Sequence, residues 1–168
     1  MPAPAAAKRA AELVLKVTGA LAFFPPLLTR LFLAHAFYLT GRGKLGNHDG
    51  VTNFFTELGI PMPHANAVFV SCLEYYGAML LAVGLATRPI AAMLAGSMVV
   101  ALLTADKEGF VDAVLARGQG DITSVAPLVL LIGLVWLVIY GPGLLSLDAL
   151  IAKWLGLGDA AKDKAKSV

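Results

Sequence analysis

The chain has 168 residues, of which 58% are hydrophobic and only 14% are charged, and its formal net charge is +2. A mean hydropathy of +0.78 lies well above that of ordinary soluble domains and indicates a membrane protein. The length suits one domain. The sequence has no phosphate-binding glycine loop, nucleophile elbow or nucleic-acid motif, which argues against those classes of function.

Four segments are apolar over a length that can cross a bilayer, whose core of about 30 Å needs roughly 20 helical residues. They lie near residues 24–42, 65–87, 89–106 and 122–141. Pro26 suits the first turn of the first helix, and Asp121 suits the N-cap of the fourth. The connector after the second span is short enough to predict a tight antiparallel hairpin. We therefore predict an all-α fold, an integral membrane four-helix bundle.

The chain divides into an N-terminal segment over residues 1–23, a membrane domain over 24–150 and a charged tail over 151–168. Residues 5–18 suit either a short helix on the membrane surface or an extension of the first span. The basic start and apolar run also fit a signal peptide, but no convincing small-residue cleavage site follows, so we expect no cleavage. The tail consists of small and charged residues, and we expect it to be mobile.

The distribution of basic residues predicts the orientation of the bundle. The two termini and the link between spans two and three hold eight Lys and Arg residues, whereas the loops on the opposite side hold four. The eight are Lys8, Arg9, Lys16, Arg88, Lys153, Lys162, Lys164 and Lys166, and the four are Arg42, Lys44, Lys107 and Arg117. The positive-inside rule then places both termini in the cytoplasm.

One carboxylate, Glu74, lies near the middle of the second predicted span. At 1.5 Å per helical residue it would sit roughly 15 Å deep, where an isolated charge costs on the order of 2.5 kcal/mol or more. Glu74 must therefore be paired, protonated or in contact with a wet cavity. The candidate partners are His35 at a similar depth, Lys44 at the outer end of span one, and the phenols of Tyr38, Tyr75 and Tyr76.

The intramembrane polar residues allow two interpretations: a polar clamp between helices, or a site for protons or a ligand. The candidates for proton handling are Glu74 and His35, and those for ligand binding are Lys44, Glu74, Tyr38, Tyr75 and Arg30. Because Arg30 lies near the cytoplasmic end of its span, we expect its guanidinium to extend to the lipid headgroups.

Residue counts exclude several cofactors. The single cysteine, Cys72, permits neither an intramolecular disulfide cycle nor a cysteine-ligated iron–sulfur cluster within this chain. A bis-histidine haem needs two histidines at matching depth, and only His35 lies in a predicted span. The external loop holds residue types that bind copper or zinc, but their spacing matches no compact ligand pattern. These are His48, Asp49, Met62 and His64. We expect no resident cofactor and no metal site.

Four stretches carry a recognisable pattern: RLFLAHAFYLTGRGKL, ELGIPMP, LEYYGAMLLAVGLATRPIA and YGPGLLSLD. Together they resemble the DoxX family of small bacterial inner-membrane proteins, in the same order and over nearly all of residues 30–148. That pattern has an Arg, then Gly and Lys, in the first span, and a Glu followed by small residues in the second. A Gly-Leu-x-Thr-Arg turn, a Gly-Pro-Gly and a Ser-x-Asp complete it. It falls on Arg30, Gly41, Lys44, Glu74, Gly77, residues 84–88 and 141–143, Ser146 and Asp148.

The resemblance implies a four-helix bundle of a bacterial inner membrane and an association with redox systems. Some members of the family are subunits of a thiosulfate:quinone oxidoreductase, and others are linked to membrane oxidoreductase complexes that manage oxidative stress. A family name transfers fold better than function. Because the chain has no cysteine pair for sulfur chemistry, sulfur oxidation would follow from the name alone.

We expect an accessory subunit of a redox or energy-converting membrane complex, with a lipid-soluble quinone docking between spans one and two. A quinone that takes two electrons also takes two protons, which Glu74 would donate with His35 as the relay. Lys44 or a tyrosine would donate a hydrogen bond to the quinone oxygen, and a partner protein would supply the electrons.

Two alternatives stay open at the level of sequence. The chain could be a purely structural subunit that organises a larger membrane complex, with Glu74 and Lys44 joining its helices. It could also be a small proton-coupled carrier, although four short spans without an inverted repeat make this less favoured. In each case the expected partners are the lipid bilayer and other membrane proteins or further copies of the chain, and not nucleic acid.

Overall fold

The computed structural model describes residues 12–16, 18–19, 21, 23–114 and 121–156, and in these ranges it contains helices and no strand. The predicted all-helical class is confirmed. In chain order the α-helices are α1 (Phe24–Gly46), α2 (His48–Glu57), α3 (Pro63–Val83), α4 (Thr87–Leu103), α5 (Lys107–Val114), α6 (Ala126–Tyr140) and α7 (Leu147–Trp154). A 3₁₀ turn, Ile122–Ser124, precedes α6.

The four long helices α1, α3, α4 and α6 each coincide with one predicted span. Each packs against two of the others, in the order α1, α3, α4, α6 and back to α1. Their shared core contains large side chains that are at most 1% exposed, among them Leu33, Phe37, Leu94, Leu134 and Leu137. Packing of this kind gives the domain one hydrophobic centre.

The lengths of these helices differ from the predicted spans. By length and composition, α3 is the one described helix that qualifies to cross a membrane by itself. Helices α4 and α5 would qualify together as one broken span, bent by 86°, and α6 is apolar but shorter. In α1 the cations Arg30, Arg42 and Lys44 lower the apolar character. By this measure the described residues contain one clear span, or two if the broken unit is counted, and the predicted bundle of four spans is not confirmed.

Three helices lie outside the predicted spans. α2 and α5 occupy loops, and α7 runs through the boundary expected at residue 150. The remaining tail, from residue 157, lies outside the described residues. So does most of the possible surface helix over residues 5–18, of which 12–16 and 18 are described and helical. The expectations of a mobile tail and an uncleaved N-terminus stay predictions.

Asp121 begins the segment that leads into α6, as predicted from its capping chemistry. Its carboxylate accepts hydrogen bonds from the Thr123 hydroxyl at 2.6 Å and the Thr123 backbone N–H at 2.9 Å. These two donors hold the pKa of Asp121 below its usual range. The capped element is the 3₁₀ turn and not α6 itself, which begins at Ala126.

The turn between α3 and α4 has the tight form that the sequence predicts. Gly84 ends α3 with a φ of +74°, a conformation that favours glycine, and its N–H donates to Leu80 O at 2.9 Å. The backbone N–H groups of Ala86 and Thr87 donate to the two carboxylate oxygens of Asp148, at 2.8 and 2.9 Å. Asp148 thus caps α4 across a long sequence separation and joins the start of α7 to this turn.

Arg30 stabilises the same end of the bundle. Its guanidinium donates to the carbonyl oxygens of Pro142 at 3.0 Å and Leu145 at 2.7 Å, and the residue is only 3% exposed. The expectation that Arg30 reaches the headgroups is wrong, because the loop after α6 turns its carbonyls towards the bundle. A Cβ at Gly84 would collide with the guanidinium of Arg30 and with the Cβ of Ser146, so glycine is required there for space as well.

We call Arg30, Gly84, Ser146 and Asp148, which meet at this end of the bundle, the clasp.

Replacing Asp148 by Ala should lower the free energy of unfolding by about 2 kcal/mol, because two backbone donors at the start of α4 lose their acceptor. Thermal unfolding in detergent, followed by tryptophan fluorescence, measures the change. Asp112→Ala is the matched control, since Asp112 is exposed on α5. Equal melting temperatures for both variants would contradict a capping role for Asp148.

Candidate ligand-binding cavity

α1 and α3 approach most closely where Gly41 meets the backbone of Tyr75. A Cβ at position 41 would collide with the backbone N and Cα of Tyr75 and would lie 2.9 Å from the carbonyl carbon of Glu74. Only glycine permits this crossing. Small residues allow such close helix packing in membranes, where packing drives association. The crossing therefore fixes the position of α1 beside Glu74.

Lys44 follows Gly41 by three residues, about one helical turn, and its ammonium forms an ion pair with Glu74 Oε1. Glu74 is 1% exposed, whereas the Lys44 side chain is 31% exposed. The pair compensates the buried carboxylate, because an isolated charge at such a site is strongly unfavourable. The second carboxylate oxygen, Oε2, is buried and has no hydrogen-bond donor among the described residues.

A cavity of about 1090 Å³ opens beside this pair, between α1, α2, α3, α4 and α6. Apolar side chains form most of its wall, including Phe37, Phe55, Phe69 and Leu130. Its polar or charged lining residues are Thr40, Lys44, Asn66, Glu74, Ser97, Thr104 and Asp106. Large, mostly apolar cavities with a few converging polar groups are typical of sites for small molecules.

Helix α2 forms one wall of the cavity and is one of the three helices that the sequence did not predict. Val51, Phe54, Phe55 and Leu58 line the cavity from α2 and its C-cap. Their spacing of three, four and seven residues is the signal of an amphipathic helix and is present in the sequence. Asn47 marks the N-cap, since its side chain accepts a hydrogen bond from the Gly50 N–H at 3.3 Å.

Of the residues predicted to bind a ligand, Lys44 and Glu74 line the cavity, and Tyr38, Tyr75 and Arg30 do not. The rings of Tyr38 and Tyr75 stack with centroids 5.3 Å apart, next to the Gly41 crossing. Their contact packs α1 against α3 outside the cavity wall. Arg30 belongs to the clasp.

His35 does not meet Glu74. The buried positions of α1 include Leu33, Ala34 and Phe37, whereas His35 is exposed. At 100° per residue, His35 lies about 160° around the helix from Phe37, which faces the core. The expected contact between Glu74 and His35 is therefore wrong. His35 is not placed to pass protons to Glu74.

His48 and His64, two of the loop residues of metal-binding type, lie next to each other. The rings of His48 and His64 are 4.9 Å apart between centroids and nearly perpendicular. Within the described part of the chain, no group of three or more His, Cys, Asp or Glu side chains is arranged to hold a metal ion. Cys72 is a free thiol, partly buried on α3.

Comparisons with known proteins agree with the sequence pattern. Residues 26–107 match the model of a protein family described as DoxX, so the predicted family is confirmed. The inner membrane protein YphA of Escherichia coli (strain K12) is 31% identical over 67 residues, which are 40% of this chain and 48% of the relative. The chain thus spans about half the length of this curated relative. No solved structure matches the chain.

Gly41→Ala should reduce the free energy of unfolding by about 1–3 kcal/mol, because the added methyl forces the two helix backbones apart. Gly43→Ala is the matched control: a Cβ at Gly43 meets nothing within 4 Å, so this variant should gain up to about 1 kcal/mol from helix propensity. Thermal unfolding of both variants in the same detergent gives the comparison. A Gly41→Ala variant as stable as Gly43→Ala would contradict the close crossing.

Proposed function

Because residues 26–107 form a domain of the DoxX family of membrane proteins, we propose that the chain is an inner-membrane subunit that holds a lipid-soluble quinone for a partner oxidoreductase. The observation that carries this proposal is the cavity of about 1090 Å³, whose apolar wall contains one buried ion pair. Its volume suits a ring with an isoprenoid chain. The ion pair supplies the polar contact that the ring needs.

The proposed placement in the membrane rests on the outer surface of the bundle. Large apolar side chains outside the cavity lining are exposed on every long helix, such as Phe32 on α1, Val83 on α3, Leu103 on α4 and Ile132 on α6. An apolar surface of this extent is unfavourable in water and favourable against lipid. We propose that α1, α3, α6 and the broken unit of α4 and α5 all pass through the bilayer, with both termini cytoplasmic.

Lys44 is the proposed partner of the quinone oxygen. An ammonium has three N–H donors, and Glu74 Oε1 takes one of them. The others are available to a carbonyl oxygen in the cavity. The apolar lining from Phe37, Phe55 and Leu130 would contact the isoprenoid chain. The proposed role is to bind and position the quinone, with electrons supplied by a partner membrane protein.

The buried ion pair also favours a second candidate function, a structural subunit in which Lys44 and Glu74 join α1 to α3. The two roles differ in what filling the cavity would do. In a quinone-binding subunit, filling the cavity removes the ligand and quinone-dependent turnover of the complex. In a structural subunit it changes neither assembly nor turnover.

The topology can be tested with single cysteines. In a Cys72→Ser background, Asn53→Cys on α2 should react with a membrane-impermeant maleimide in intact spheroplasts. Ser167→Cys in the tail should react only after the membrane is permeabilised. Labelling of Ser167→Cys in intact spheroplasts would overturn the proposed orientation.

Quinone binding can be tested with a cavity-filling variant. Gly96 lines the cavity, and a Cβ there meets nothing within 4 Å. In lipid nanodiscs, Gly96→Leu should weaken the binding of a short-chain ubiquinone at least about tenfold, as expected for a side chain that changes a hydrophobic pocket. Gly43→Leu, equally free of neighbours but outside the cavity lining, should leave the affinity unchanged.

Absence of quinone binding by the unmodified protein would overturn the proposed function. Equal affinities for Gly96→Leu and Gly43→Leu would place the quinone outside this cavity. The melting temperature of each variant shows whether the fold is retained.

A further inference from the structure

Glu74 presents a hydrogen-bond acceptor that the described part of the protein leaves without a donor. Lys44 donates to Oε1, but no donor reaches the buried Oε2. Glu74 is 1% exposed and contributes to the cavity wall. A buried charged acceptor without a donor is unfavourable, and low local dielectric increases the penalty. A ligand that brings an O–H group to this carboxylate would relieve that penalty.

We infer that the cavity selects a ligand with a hydroxyl donor, and that among the redox forms of a quinone it binds the hydroquinone more tightly. This inference rests on the proposed function and adds the preferred form of the ligand. It predicts that the subunit retains the reduced form of the carrier that results when the partner membrane protein supplies electrons.

One hydroxyl group can satisfy both members of the ion pair. Its hydrogen can be donated to Glu74 after a small rotation of the carboxylate, while its oxygen accepts a second N–H from Lys44. A quinone carbonyl can accept from Lys44 but has no hydrogen for Glu74. It would also bring its lone pairs towards a carboxylate, which is repulsive. The two redox forms therefore differ in the one contact that the site leaves unfilled.

The other hydroxyl and amide groups in the wall are already engaged with the backbone. Ser97 donates to Leu94 O at 2.8 Å and Thr104 to Val100 O at 2.7 Å. The Asn66 amide donates to Pro61 O at 2.6 Å, and the Thr40 hydroxyl contacts carbonyls of its own helix. The three hydroxyl groups thus have their hydrogens committed to backbone carbonyls, and the Asn66 amide keeps one N–H that the oxygen of either ligand form can accept. None of these groups requires a hydroxyl donor from the ligand, so discrimination between the two forms falls to Lys44 and Glu74.

The test compares two forms of one probe. Ubiquinone with a single isoprene unit, and the same molecule reduced to ubiquinol and kept anaerobic, are titrated into the full-length protein in nanodiscs. The hydroquinone should bind about ten- to a hundredfold more tightly, the size expected for a hydrogen bond to a charged group. Equal affinities, or tighter binding of the quinone, would overturn the inference and leave the proposed function standing. Binding of neither form would overturn both.

Substitutions at Glu74 and Asp106 test which residue causes the preference for the hydroquinone. Glu74→Gln provides an amide that can donate as well as accept, so the preference for hydroquinone should disappear or reverse. Asp106→Asn makes the same chemical change on another part of the cavity wall and should keep the preference. If Glu74→Gln alone does not fold, Lys44→Gln combined with Glu74→Gln removes both charges and tests the same contact. A preference that survives in the folded variant would contradict the assignment to Glu74.

Discussion

The buried carboxylate of Glu74 determines how α1 and α3 must meet. A charged carboxylate that is 1% exposed is strongly unfavourable without a partner, and the structure provides a cation from a neighbouring helix. Lys44 can reach Glu74 because the helix backbones touch at Gly41, one turn earlier. The absent side chain at Gly41 and the charge at Lys44 are thus parts of one arrangement. The stacked rings of Tyr38 and Tyr75 pack beside the same crossing.

Each end of the bundle has a cation from α1 that binds oxygen acceptors, but the acceptors differ between the two ends. In the clasp, Arg30 donates to backbone carbonyls of the loop after α6, and Asp148 accepts from the start of α4. These bonds close that end around fixed backbone groups. Towards α2, Lys44 is partly exposed and keeps donors free, and a cavity lies between the helices. The fold therefore has one end suited to rigidity and one suited to binding.

The sequence predicts the helices better than the contacts. Apolar length locates the four long helices, although the second predicted span runs to residue 87 and α3 ends before Gly84. The chemistry of Asp121 predicts its capping role. Sequence depth also proposes both His35 and Lys44 as partners of Glu74. Depth cannot choose between them, because rotation about the helix axis decides which side chain faces α3. The close approach of Gly41 to the backbone of Tyr75 sets that rotation. This contact joins two helices and cannot be read from the sequence of either one.

Arg30 and α2 illustrate two further limits. The position of Arg30 near a helix end predicts a guanidinium in the headgroups. Its actual acceptors are carbonyls more than a hundred residues away in sequence, which no local pattern reveals. For α2 the helical spacing of Val51, Phe54, Phe55 and Leu58 is visible in the sequence. The helix has only 10 residues, whereas a membrane span needs roughly 20, so hydropathy over a membrane length does not reveal it.

The charges of the cavity favour a neutral ligand over an ion. Lys44 and Glu74 neutralise each other, and the other acidic or basic residue in the wall is Asp106. An anion would enter a site without surplus positive charge, and a cation would have to leave water for a mostly apolar wall. A neutral amphiphile avoids both penalties, and its arrival would exclude water and strengthen the ion pair beside it. The same electrostatics that hold α1 to α3 thus favour a quinone-type molecule over an anionic sulfur substrate.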